Sequence, residues 1–167
     1  PAASAQSVAA NRSRFKTMIG AFDSRLPARM ERFGDDLRPA MVSATDRYSV
    51  YQVRWAVLPG YSAEGLLVEP TRKAVANVIV MPDADQTPED VIGAADPDQY
   101  RGVRRLAADG FRILIPTPIS RAKIATKDQR LQRSDQTYRE WIYRQAFHMG
   151  RHVIGYEVQA VMAGVDW

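Results

Sequence analysis

Val75-Ala76-Asn77-Val78-Ile79-Val80-Met81 is an almost unbroken apolar run. Such a run is expected of a strand buried on both faces in a parallel sheet. Phe111-Arg112-Ile113-Leu114-Ile115 is a second one, ended by Pro116 and Pro118. Between them, Asp96-Pro97 offers an N-cap followed by proline at the first helical position. Tyr100, Val103, Leu106 and Ala107 supply an apolar stripe, and Gly110 a C-terminal stop. Residues 75–115 therefore predict a strand–helix–strand unit with a right-handed crossover.

Upstream, the period changes to two. Tyr48 to Leu58 is rich in strand formers, and Tyr51, Val53 and Trp55 share one face. Pro59-Gly60-Tyr61-Ser62 reads as a turn, and Glu64 to Glu69 as a second strand stopped by Pro70. The two form an antiparallel hairpin. Residues 34–46 hold Asp, Pro, Ser and Thr and read as loop, with a short helix at Ala28–Phe33 ended by Gly34. Phe15, Met18, Ile19 and Phe22 recur at helical spacing. Residues 1–12 are Ala/Ser-rich and read as mobile. Downstream, residues 120–133 are polar and basic. Ser134 caps a long helix that continues to Val165, interrupted at Gly150 and Gly155 by a kink or by two helices abutting. The order hairpin, strand, helix, strand, helix predicts an α/β fold. Its expected parts are a flexible segment (1–13), a helical and loop extension (14–46) and the α/β domain (47–167).

The 167 residues, 46% hydrophobic and 25% charged, suit one globular domain. The 15 aromatic residues argue against disorder throughout. No apolar run reaches the roughly 18 residues a membrane span needs, so no membrane partner is expected. The absence of cysteine excludes disulfides, a thiol nucleophile and thiolate metal sites. The net charge of +4 is spread among interspersed acids and bases, so a nucleic-acid partner is not indicated.

Phosphate-binding glycine motifs are absent, and the loop after Met81 is acidic and glycine-free, so no nucleotide cofactor is expected. His148 and His152 stand four apart, but Met149-Gly150-Arg151 between them lacks the general-base glutamate of a zincin. They read as structural histidines within one helix, and no metal ligands are assigned. Asp83-Ala84-Asp85-Gln86-Thr87 is the sharpest local pattern. D-x-D-x-T at a strand end is how haloacid-dehalogenase phosphatases begin their site. There one Asp attacks phosphorus, the second moves a proton and Mg²⁺ screens charge. Ile115-Pro116-Thr117 fits that class's second motif. Pro82 and Pro88 flank the pattern against expectation, and a polar loop at a strand end is the plainer alternative. A non-catalytic α/β binding domain is a third reading.

Four stretches carry a resemblance: residues 51–55 (YQVRW), 64–70 (EGLLVEP), 78–85 (VIVMPDAD) and 150–157 (GRHVIGYE). Together they resemble the dienelactone-hydrolase and acetyl-xylan-esterase relatives within the α/β-hydrolases, over residues 14–167. That resemblance implies a serine ester hydrolase acting on a small-molecule or carbohydrate ester, from a larger and often exported bacterial protein. The superfamily's nucleophile sits in G-x-S-x-G, followed by the acid and the histidine. No such motif occurs here, so no triad residue is assigned. Ser62, Ser120 and Ser134 lie in turn or capping contexts. The resemblance implies that the loop after Met81 supplies one oxyanion donor, with the Ala84 N–H first candidate and the Asp85 N–H second. Asp83, Ser120 and Arg121 are candidates for the pocket wall. The carboxylates of Asp83 and Asp85 would oppose an oxyanion's charge unless they point away.

The chain begins at Pro1, and Ala3-Ser4-Ala5 is consistent with a signal-cleavage site or with an Ala/Ser linker. A secreted or periplasmic location and a cytoplasmic one both remain open. Trp167 falls inside an apolar helical pattern without a cap. The expectation is an N-terminal portion of a hydrolase, inactive alone, whose main partner is the remainder of the hydrolase domain.

Overall fold

The computed structural model describes residues 5–93, 101–124 and 135–167. Its elements in chain order are α1 (Ala5–Met18), β1 (Met30–Arg32), β2 (Met41–Ala44), β3 (Tyr48–Leu58), β4 (Tyr61–Pro70), β5 (Asn77–Ile79), α2 (Pro88–Val91), α3 (Arg101–Ala108), β6 (Arg112–Pro116), α4 (Tyr138–His148) and α5 (Val153–Asp166). They form a mixed sheet flanked by helices, the expected α/β fold. The sheet order is β1-β3-β4-β6-β5, and β2 also pairs with β3.

The β3–β4 hairpin is the longest pairing and runs from Tyr48↔Pro70 to Leu58↔Tyr61. Alternation along β3 divides the core. Val53, Trp55 and Val57 pack with Leu67, Leu114, Ala160 and Ala163 on one face. Val50, Leu66, Val68, Ile113 and Ile115 pack with Val91 and Ala107 on the other. α5 thus covers the first face, and α2 and α3 the second. Trp55 locks the first layer, since its buried indole N–H donates to the Ala160 carbonyl at 2.9 Å.

β5 and β6 are parallel neighbours, with Val78 opposite Ile113, as the two apolar runs predict. The N-cap expected at Asp96-Pro97, together with Tyr100, lies outside the described residues. The deep burial expected of residues 75–81 is not found. β5 is short and pairs, among the described residues, with β6 alone. Val75 and Met81 are exposed. The run is apolar enough for an interior strand, but one of its edges is unpaired here.

The N-terminal third also differs from expectation. Ala28–Phe33 is not a helix, because Met30–Arg32 pairs with the free edge of β3. Within the predicted loop 34–46, Met41–Ala44 extends the same edge as β2. Residues 33–40 bulge out between them and are pinned at both ends by Gln52. Its carbonyl accepts from the Phe33 N–H and its N–H donates to the Ala40 carbonyl. Backbone pairing to a distant strand overrides the local preference of such short segments. The helix expected around Phe15–Phe22 lies further upstream as α1, and its Val8, Phe15 and Met18 are exposed.

Toward the C-terminus two helices abut. Thr137 caps α4, its hydroxyl accepting from the Glu140 N–H. Ser134, the expected cap, lies outside the described residues. His152 caps α5, its Nδ1 accepting from the Ile154 N–H at 3.1 Å. His148 ends α4 and His152 precedes α5, so the two do not share one helix as expected. Gly155 lies inside α5 rather than breaking it, and the Ile19 carbonyl packs against it too closely for a side chain.

Gly65 has a comparable constraint within the sheet. A Cβ there would collide with the Ile115 carbonyl oxygen across the β4–β6 pair. Both backbones are held by hydrogen bonds, so neither yields cheaply. Gly65→Ala is expected to cost about 3 kcal/mol, read as a lower urea midpoint with an unchanged slope.

Candidate functional site

Parallel pairing of β5 and β6 puts the loops that follow them at one sheet edge. In open α/β sheets ligands bind outside the carboxyl ends of strands. The two loops meet directly. The Arg121 guanidinium lies 3.0 Å from the Asp85 carboxylate, and the Arg121 N–H donates to the Ala84 carbonyl at 3.4 Å. The expected common edge for Asp83–Thr87 and Thr117–Arg121 is therefore present.

Residues 83–86 form a tight turn in which the Gln86 N–H donates to the Asp83 carbonyl at 2.9 Å. The Gln86 side-chain carbonyl accepts from the Asp83 N–H at 3.0 Å. Ala84 and Asp85 are its central residues. Among the described residues, neither of their N–H groups meets an acceptor. Ala84 is half-buried, whereas Asp83 and Asp85 are exposed.

Thr87 is the N-cap of α2. Its hydroxyl accepts from the Asp90 N–H, and the Asp90 carboxylate accepts from the Thr87 N–H at 2.8 Å. These bonds, the backbone one first, hold Asp90 below the usual carboxylate range. Aspartate at the third helical position thus closes a reciprocal cap. Ser120 lies in the opposite loop, where its hydroxyl accepts from the Ala122 N–H at 2.9 Å. The Asp85 carboxylate is balanced by Arg121, while Asp83 has no ion-pair partner among the described residues. Among the described residues no three His, Asp or Glu side chains converge as a metal cage would require.

Two ion pairs that fasten this edge were not legible in advance. Arg139 of α4 grips Glu157 of α5 through both nitrogens, at 2.5 and 2.8 Å. Glu157 also accepts from the Ile119 N–H, and Arg139 donates to the Ile119 carbonyl. One pair therefore joins both helices to the loop after β6. Its hydrogen bonds raise the Arg139 pKa against the opposing cost of burial. The available signal was Glu157 itself, the one charge between Val153 and Val165. Tyr61 at the start of β4 is pushed up to about 12, by burial first and by the charge of Glu157 second.

The second pair is Arg151 with Asp23, at 2.7 Å through two nitrogens. Arg151 also stacks on the Phe22 ring, 3.9 Å from its centroid. Hydrogen bonds from Arg151 hold the Asp23 carboxyl below its ordinary value, against a smaller opposing effect of desolvation. A depressed folded-state pKa means stability that is present above about pH 4, where the unfolded aspartate is ionised. It is lost as pH falls through the lower folded value. Asp23→Asn is expected to flatten the dependence of Tm on pH below about 4 and to leave its shape near neutrality unchanged.

No family model matches the sequence, and no curated protein matches it. Among solved structures, the fold is similar to that of a "putative acetyl xylan esterase" from Bacteroides fragilis, with a TM-score of 0.66 at 15% identity. The match covers 97% of this chain and 42% of that one, so the chain spans less than half the length of that structure. At this identity the likeness concerns the fold.

Proposed function

We propose that the chain forms the first part of a serine ester hydrolase of the dienelactone-hydrolase and acetyl-xylan-esterase type. In this reading it contributes an oxyanion donor and part of the pocket wall, while the nucleophile and its base come from elsewhere in a longer chain. The supporting observation is the likeness, over 97% of the chain, to a structure bearing an esterase description. The open turn at Ala84-Asp85 is consistent with it.

In this reading a following strand would join the sheet beside β5. α3 lies on one face of the sheet and α5 on the other. A right-handed crossover through the α5 face carries a following parallel strand to the free edge of β5. The carboxyl end of β5 then becomes the point where strand order reverses, which is where α/β sheets bind ligands. Ala84 and Asp85 stand at that point. A nucleophile elbow on the following strand would present its serine toward them. The Ala84 N–H, with the Asp85 N–H as second candidate, would then polarise the ester carbonyl. Asp83, Ser120 and Arg121 would line the approach, with Arg121 balancing Asp85 beside the developing oxyanion.

The test is hydrolysis of an activated aryl ester by the pure chain, with serine-directed fluorophosphonate as control. No turnover above buffer and no labelling are expected. Turnover that the fluorophosphonate abolishes would overturn the reading. The phosphatase alternative is tested in parallel. Mg²⁺-dependent hydrolysis of an aryl phosphate that Asp83→Asn abolishes would establish it instead.

A further inference from the structure

We propose that the cavity between α4 and the β3–β4 turn is a binding site for an uncharged aromatic molecule. Its volume is about 530 Å³, within the range of small-molecule sites. Leu58 and Ala146 are buried residues of its lining, and Tyr61, Tyr156, Trp141 and Met149 also line it. The lining is predominantly apolar. Trp141 and Met149 remain 43% and 73% exposed although they belong to the wall. Tyr61 and Tyr156 meet edge to face at 5.7 Å. Aromatic walls favour aromatic occupants through stacked and edge-on contacts.

Charge complementarity selects a neutral occupant. The two charged side chains of the lining, Asp23 and Arg151, are spent on each other through two hydrogen bonds. Gln145 supplies an amide at the wall. The frame is braced, since Ile119 of the lining is tied to both members of the Arg139–Glu157 pair.

The position adds meaning. Gly65 of β4 lies opposite Pro116 at the end of β6, so the turn before Tyr61 projects beyond the carboxyl edge. Ile119 is two residues from Arg121, which bonds to Ala84. The cavity therefore belongs to the same edge as the candidate oxyanion donors. That it seats the non-reacting group of an ester rests on the esterase reading, whereas the binding itself does not.

Titration of the chain with N-phenyl-1-naphthylamine, an uncharged dye that fluoresces in apolar sites, tests this. Saturable one-to-one binding is expected. Trp141→Ala, which removes a wall, and Gln145→Trp, which fills the space from an exposed position, should each weaken it at least tenfold. Far-UV circular dichroism identifies any variant that fails to fold, and Gln145→Trp decides if Trp141→Ala does. Phe147→Ser, at an exposed residue of α4 outside the lining, should leave the affinity unchanged. Absence of saturable binding would overturn the proposal. So would an equal loss in Phe147→Ser, which would mean adhesion to exposed apolar surface. Either result leaves the esterase reading intact, because that reading is tested by the serine label and not by the dye.

Discussion

On the proposed ester-hydrolase reading, Ala84→Pro in a protein that also carries the nucleophile is expected to lower kcat about 100- to 1000-fold, the effect of deleting one oxyanion-hole donor. The substitution is chosen because the turn tolerates it. Ala84 follows Asp83, whose carbonyl accepts from Gln86, so it occupies the second position of a four-residue turn. Proline is favoured at that position of the commonest turns. The Ala84 carbonyl still accepts from Arg121, and the Gln86 bond is untouched. Only the N–H is removed, and it has no acceptor among the described residues. KM should change little, since an oxyanion donor acts chiefly in the transition state. Tm should stay within a few degrees. An unchanged kcat in a folded variant would remove Ala84 from the mechanism and leave the fold as described.

Trp55→Ala is expected to cost roughly 3–5 kcal/mol, since Trp55 is the largest fully buried side chain among the described residues. Trp55 is 1% exposed and lies on β3 beneath α5. Removing the indole opens a cavity between sheet and helix and deletes the bond to the Ala160 carbonyl. Domains of ordinary stability hold about 5–15 kcal/mol in total, so the variant should sit near the edge of folding. The melting point should fall by roughly 10 °C or more. Trp55→Phe keeps much of the volume but loses the hydrogen bond, worth about 1 kcal/mol, and should fall between. Equal losses in the two variants would show that the bond rather than the packing holds α5 to the sheet.

What could be read beforehand follows a physical line. β3 and β4 were legible because Tyr51, Val53 and Trp55 alternate over a long stretch and Pro59-Gly60 joins adjacent strands. The parallel β5–β6 unit was legible for its apolar runs. Met30–Arg32 and Met41–Ala44 were not, because they are strands only through pairing with β3, a contact no local pattern encodes. Residues 75–81 have the composition of an interior strand, whereas β5 ends the sheet order among the described residues. Val75 and Met81 are exposed because that composition outruns the partners described here.

The candidate site divides in the same way. Its place at the carboxyl edge followed from the parallel unit. The pairing of Asp85 with Arg121, 36 residues apart, and of Arg139 with Glu157 depends on how the loops and helices dock. Thr87 reads from sequence as part of a motif or of a plain polar loop, because either can follow a strand end, and its role as a helix cap is visible only in the structure. Asp90, three residues on, is the partner that makes it a cap.

The most direct test of the proposed role is to label the full-length protein with a serine-directed fluorophosphonate and to map the modified residue by mass spectrometry. One labelled serine is expected, in a G-x-S-x-G sequence beyond residue 167, with Ser62, Ser120 and Ser134 unmodified. Labelling of a serine within residues 1–167, or no labelling of the folded full-length protein, would contradict it.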